Sequence, residues 1–176
     1  QGLENLAAAA RARTAARITA ITGSVGKTST KEALRLALEP QGATTASIGN
    51  LNNQWGVPLS LARMPGESVF GVFELGMNHP GEIAYLSGLA APTVAVISNA
   101  LRAHLAGVGD LDGVAREKGA IYGGLVAGGT AVINADDAFA PYWQGLNRDR
   151  RMLTFGLSAG AGVRADCELH GLGVRM

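Results

Sequence analysis

The stretch Arg17-Ile18-Thr19-Ala20-Ile21-Thr22-Gly23-Ser24-Val25-Gly26-Lys27-Thr28-Ser29-Thr30 decides the fold of this chain. An apolar run ends in a turn with two glycines and Gly-Lys-Thr. The segment Lys31-Glu32-Ala33-Leu34-Arg35-Leu36-Ala37-Leu38 then continues with helical spacing. Strand, glycine-rich turn and helix in this order are the layout of a phosphate-binding loop, the bland alternative being a glycine-rich turn with a chance Gly-Lys-Thr. The glycines let backbone N–H groups wrap an anion, and the helix N-terminus adds partial positive charge. Lys27 has the reach for outer phosphates, and the Thr28 hydroxyl is a ligand for Mg²⁺. The candidate phosphate-binding residues are Gly23, Ser24, Val25, Gly26, Lys27, Thr28 and Ser29. Ile21 stands where the usual pattern has its first glycine, so the match is to the later part of the motif.

Working outward, helical and strand patterns alternate. Residues 3–15 are Ala- and Arg-rich and read as helix. Strands are expected at 18–22, 43–47, 69–74, 93–98, 130–134 and 152–155, and helices at 29–38, 58–63, 82–89, 111–125 and 137–146. Several strand runs, such as Val94-Ala95-Val96-Ile97, are apolar without alternation, which suits a parallel sheet buried on both faces. The expected fold is α/β: a three-layer domain with a mostly parallel sheet. The glycine-rich tract 156–162 is expected to open a second, β-rich region that the chain end interrupts.

The chain has 176 residues, enough for one domain with a real core. A net charge of +1 makes no electrostatic case for nucleic acid or a membrane surface, and 5% aromatics argues against a base-stacking platform. No run has the length and apolarity of a membrane span. The single cysteine, Cys167, excludes an intrachain disulfide and fits a reducing cytoplasm. The ends, Gln1 and Met176, read as cut from something longer.

In an open parallel sheet, ligands bind beyond the C-terminal ends of the strands. Lys27, Thr28, Asn50 to Asn53, Glu74, Asn99 and His104 all fall at such ends. Glu74 ends an apolar run and is either a hard oxygen ligand for Mg²⁺ or a carboxylate that caps a helix or pairs with an arginine. The amides Asn50, Asn52 and Asn53 either read a polar ligand or build a turn. Asn78 and His79 lie in a loop that feeds a helix at Pro80-Gly81-Glu82, and His79 is equally a plain loop residue. His104 can ligate a metal or orient a carboxylate. Lys118, taken alone, reads as a solvated helix residue. Asp136 and Asp137 either approach a ligand or cap a helix, Asp136 as its N-cap.

Together these segments resemble the Mur ligase family, ATP-dependent amide ligases of cell-wall precursor synthesis. The matching pieces are the phosphate loop, Asn52-Asn53-Gln54-Trp55-Gly56-Val57-Pro58-Leu59, Glu74-Leu75-Gly76-Met77-Asn78-His79-Pro80-Gly81-Glu82-Ile83, Ala103-His104-Leu105 and Asn134-Ala135-Asp136-Asp137. The second long stretch is most similar to members that join D-Ala-D-Ala to UDP-MurNAc-tripeptide. Other implied readings are a diaminopimelate- or lysine-adding ligase, folylpolyglutamate synthase, or a nucleotide-binding module without catalysis.

The resemblance implies ATP and Mg²⁺ as ligands, with Lys27 on the phosphates and Thr28, Glu74 and His104 on the metal. It implies a CO₂-derived carbamate on Lys118, which turns a cation into an anion with metal-ligating oxygens. Lys27, Lys118, His104 and Glu74 are the implied catalytic set, and Asn50, Asn52, Asn53, Asn78 and His79 the implied substrate side. The sequence departs from many such relatives at Ala120, where they carry Glu. Residues 1–176 are then expected to be a central ATP-binding domain, incomplete at its C-terminus and inactive alone. The N-terminal UDP-sugar domain and the C-terminal closing domain are expected to be absent.

Overall fold

The computed structural model describes residues 1–102, 109–165, 168–170 and 173–175. In chain order the elements are α1 (Gly2–Ala12), β1 (Arg17–Thr22), α2 (Lys27–Leu38), β2 (Thr44–Ala46), α3 (Gly56–Ala62), β3 (Phe70–Glu74), α4 (Glu82–Ala90) and β4 (Val94–Ile97). They continue as α5 (Leu111–Gly119), β5 (Thr130–Asn134), α6 (Ala140–Leu146), β6 (Arg151–Gly156), β7 (Val163–Arg164), β8 (Glu168–His170) and β9 (Gly173–Arg175). Strands β1 to β7 form one sheet in the order β2-β3-β1-β4-β5-β6-β7, and every pairing in it is parallel. Strands β8 and β9 pair antiparallel in a separate two-stranded sheet. The expected β-rich region after the glycine tract is therefore split: β7 extends the main sheet and the last two strands leave it.

The sheet is apolar on both faces, as the unbroken hydrophobic runs require. Ala20, Phe73, Ala95, Ile97, Ala131 and Ile133 join the larger core cluster with Ala7 of α1, Leu61 of α3, Leu86 of α4, Val114 of α5 and Trp143 of α6. Their strand neighbours Ile21, Val72 and Val96 turn to the other face and meet Leu34 and Leu38 of α2. Alternate residues thus serve opposite layers, which is the period of a strand. Beside α2, that second face carries an apolar groove of about 500 Å³ lined by residues that include Val96, Val132, Leu153 and Phe155. Among the described residues no helix is long and apolar enough to cross a membrane.

Two helices differ from expectation for local reasons. The run expected as helix 111–125 is α-helical only to Gly119 and becomes a 3₁₀ turn over Ala120–Gly124. A Cβ on Gly119 would lie 3.0 Å from Leu146 and 3.3 Å from Trp143, so α5 ends at a glycine that leaves room for α6. The helix expected from residue 137 starts at Ala140, because the Asp137 carboxylate accepts from Phe139 N–H and holds a turn. Trp143 fixes this corner: it is fully buried, and its indole N–H donates to Ala115 O at 3.0 Å. Trp143→Ala is expected to destabilise the fold by about 3–5 kcal/mol. A lower denaturant midpoint at an unchanged m-value would show it.

Candidate active site

The order of strands puts β1 between β3 and β4, so the loop that leaves β1 is flanked by the C-terminal ends of both. Helix α2 begins at Lys27, with Gly26 before it in left-handed conformation (φ 80°). Among the described residues no side chain caps this end, so first-turn N–H groups remain for an anion. On the β4 side, Asn99 shapes the loop. Its Oδ1 accepts from Ser24 N–H at 3.1 Å and Val25 N–H at 3.0 Å, and its Nδ2 donates to Val25 O. Ser98 Oγ also donates to Val25 O, at 2.8 Å. Ser24 and Val25 are therefore held from behind, while Gly26, Lys27, Thr28 and Ser29 form the helix entry. The Lys27 ammonium folds back onto Gly23 O at 2.8 Å.

Glu74, at the end of β3, is buried, and its carboxylate takes two hydrogen bonds of 2.7 Å. Thr28 Oγ1 donates to Oε2 and Asn52 Nδ2 donates to Oε1. Among the described residues it pairs with no arginine and caps no helix. The hydroxyl and carboxylate side by side are hard oxygen donors. They suit Mg²⁺, which takes one or two protein ligands and completes its shell with phosphate and water. Asn52 reaches this position because Gly76 lacks a side chain: a Cβ there would lie 2.8 Å from the Asn52 amide.

The other amides divide. Asn53 Oδ1 accepts from Trp55 N–H and Gly56 N–H at the start of α3, so it makes a turn. Asn50 is exposed. Asn78 and His79 are also exposed, and their backbone N–H groups donate to Glu82 Oε2 at 2.6 and 3.0 Å. The structure thus joins Asn52 to Glu74 and Thr28, and leaves Asn50, Asn53, Asn78 and His79 outside that cluster. His104 and Cys167 lie outside the described residues. Among the described residues no group of three or more His, Cys, Asp or Glu is placed to hold a metal.

Lys118 is not a solvated residue. It is 2% exposed on α5, and its pKa falls from 10.5 to about 8. Burial disfavours the charged form, the Lys27 cation adds to this, and Glu117 opposes it. Glu117 also binds the α4 entry, accepting from Gly81 N–H at 2.9 Å and Ile83 N–H at 3.2 Å. The aspartates take structural roles. Asp136 accepts from Leu157 and Ser158 N–H groups, which hold its carboxyl below the usual range, and it does not cap α6. Asp137 accepts from Ala100 N–H at 2.7 Å and ties β5 to the chain leaving β4.

Sequence reasoning passed over Lys31, Ser47 and Glu117. Lys31 is fully buried and Ser47 nearly so. The available signal for Lys31 was its spacing, one helical turn after Lys27 on the same side of α2.

The Mur ligase middle domain family model matches residues 21–174. A UDP-N-acetylmuramoyl-tripeptide--D-alanyl-D-alanine ligase of Escherichia coli K12 is 44% identical over 154 residues, 88% of this chain and 34% of that protein. A MurF crystal structure from Acinetobacter baumannii is 39% identical with a TM-score of 0.85, covering 88% of this chain and 34% of that one. A MurF ligase from Thermotoga maritima in complex with ADP is 30% identical with a TM-score of 0.86, covering 99% of this chain and 41% of that one. The chain spans about a third of the length of the curated relatives it matches.

Proposed function

The chain belongs to the Mur ligase middle-domain family, and we propose that it is the nucleotide-binding domain of an ATP-dependent ligase joining D-Ala-D-Ala to UDP-MurNAc-tripeptide. The observation that carries the chemistry is the Thr28–Glu74 hydrogen bond at the mouth of an uncapped phosphate-loop helix. The choice of substrates is supported by the names of relatives at 44% and 41% identity.

In this reading the acceptor carboxylate attacks the γ-phosphorus of ATP, ADP leaves, and an acyl phosphate results. The amine of D-Ala-D-Ala then attacks the acyl carbon and releases phosphate and a proton. Two anions meet in the first step. Lys27 and the N–H groups at the entry of α2 stabilise the charge developing on the phosphoryl oxygens. Thr28 and Glu74 would hold Mg²⁺, with His104 as a further ligand; the ion supplies charge neutralisation between phosphate and carboxylate. Lys118 is buried beside the cationic Lys27, which favours its neutral amine. That amine is the form that adds CO₂ to give a carbamate and a proton. Asn52, on the Glu74 carboxylate, would read the acceptor, and the exposed Asn50, Asn53, Asn78 and His79 would serve the same substrate.

The relatives' further length, roughly two thirds of each, is where the UDP-sugar domain and the closing domain would reside. The ligase would act in the cytoplasm, in building the cell wall. The test is calorimetric titration of this chain with Mg²⁺ and a non-hydrolysable ATP analogue. Binding is expected in the parent chain and is expected to weaken about 100-fold or more in Lys27→Ala, the scale of a charge-assisted phosphate contact. A folded parent chain that binds no better than the variant would overturn the site. D-Ala-D-Ala-dependent phosphate release by a full-length ligase carrying this domain, set against diaminopimelate, tests the substrate.

A further inference from the structure

Lys31 is a fully buried lysine with no part in the chemistry above. Its ammonium donates to Ser47 O at 2.7 Å and Gly49 O at 3.4 Å, and pairs with Glu32 at 2.9 Å. Glu32 in turn takes Arg35 at 2.8 Å. A buried cation is poor core filler, because an apolar side chain of similar volume would avoid its desolvation. What this one does is bridge elements. Ser47 and Gly49 lie just beyond β2, at the start of the loop that carries Asn50, Asn52 and Asn53.

The bridge closes into a ring. Ser47 Oγ accepts from Glu74 N–H at 3.1 Å, and the Glu74 carboxylate accepts from Thr28, back on α2. Running round it, α2 holds the exit of β2 through Lys31. That exit holds the end of β3 through Ser47, and β3 holds the first turn of α2 through Glu74. Asn52 hangs from the same carboxylate and is tied again where Gly76 N–H donates to Asn52 O at 2.7 Å.

We propose that Lys31 is a positioning residue that locks the Asn50–Asn53 loop to the phosphate-loop helix, so that nucleotide at the helix entry sets the pose of Asn52. The coupling to nucleotide rests on the ATP-binding reading; the lock itself does not. Helix α2 cannot shift along its axis without carrying the carbonyls of Ser47 and Gly49 with it. The loop then moves with the phosphate site as one body.

The test is hydrogen exchange on this chain as wild type, Lys31→Met, Lys31→Arg and Ser47→Ala, with and without saturating Mg·ADP. In Lys31→Met the amides of Leu51, Asn52 and Gly76 are expected to exchange about tenfold faster or more, while Ala20 and Ala95 in the sheet stay within about twofold. Lys31→Arg keeps the donors and is expected to recover part of the protection. Ser47→Ala cuts the ring without touching α2 and is expected to give the same loop-confined pattern. Mg·ADP is expected to slow loop exchange in the wild type and not in Lys31→Met, although both bind it. Uniform acceleration through the sheet in both Lys31→Met and Ser47→Ala would mean a merely structural lysine and overturn the proposal. So would unchanged loop exchange in both, or an equal Mg·ADP response in wild type and Lys31→Met. If no variant binds Mg·ADP the ATP reading fails, and the ligand-free comparison still decides whether Lys31 locks the loop.

Discussion

Replacing Lys118 by Met is expected to stabilise the ligand-free domain at pH 7. Burial beside Lys27 lowers the Lys118 pKa from 10.5 to about 8. Between those values the unfolded chain holds a proton that the folded chain has lost, so stability rises with pH across that window. Below about pH 8 the full penalty is present, on the order of 3 kcal/mol for a shift of this size. Met fills similar volume without a charge. For a domain of this length such a gain corresponds to a melting temperature higher by roughly 10 °C. Melting curves from pH 7 to 10.5 in CO₂-free buffer provide the check. The wild-type curve should climb towards that of the variant as pH rises, and a variant less stable at pH 7 would contradict the assignment. The same shift makes the amine available to CO₂ near neutral pH. In the proposed ligase, ¹³C-labelled bicarbonate is expected to give a carbamate signal that Lys118→Met removes together with turnover. In that reading the destabilising lysine is an exchange of stability for function.

The second large effect is expected at Gly23. Its φ of +156° lies where side chains are rarely found, and a Cβ there would stand 1.8 Å from Ser98 Oγ and 3.3 Å from Asn99 N. Gly23→Ala is expected to destabilise the fold by about 2–5 kcal/mol, combining backbone strain with overpacking. It would also push Ser98 off Val25 O and spoil the loop, so Mg·ADP binding should disappear. Gly26 offers the control. It too has positive φ, 80°, but nothing lies within 4 Å of its added Cβ. Gly26→Ala should therefore show the left-handed penalty alone, about 1 kcal/mol. Adding Ser98→Ala to Gly23→Ala removes the closest atom and is expected to recover part of the stability. Thermal unfolding of the three variants tests this, and equal losses at Gly23 and Gly26 would refute the steric account.

Much of this was legible in one dimension. The unbroken apolar run Val94-Ala95-Val96-Ile97 requires two covered faces, and the structure supplies them. The turn between β1 and α2 was legible because Gly23 and Gly26 adopt backbone geometry that glycine alone permits cheaply, and that leaves a local signature. Helix ends were less legible. The end of α5 lies where Trp143 and Leu146 approach Gly119, and the start of α6 is set by an Asp137 turn that also reaches Ala100. These partners are distant in sequence.

Amino-acid order by itself determined the glycine-rich strand–loop–helix, the alternation of helix and strand, and the family. All three rest on contacts between near neighbours or on periodicity, which a linear pattern records. Only the tertiary structure decided which polar residues work together. Asn52 meets Glu74 while Asn53 makes the turn before α3, Lys118 is buried within the field of a second cation, and Lys31 spans from α2 to the exit of β2. Burial and pairing belong to the packed sheet, where the strand order β2-β3-β1-β4 brings chain ends from far apart to one edge. A side chain's charge, reach and partners follow from that edge and not from its neighbours in the chain.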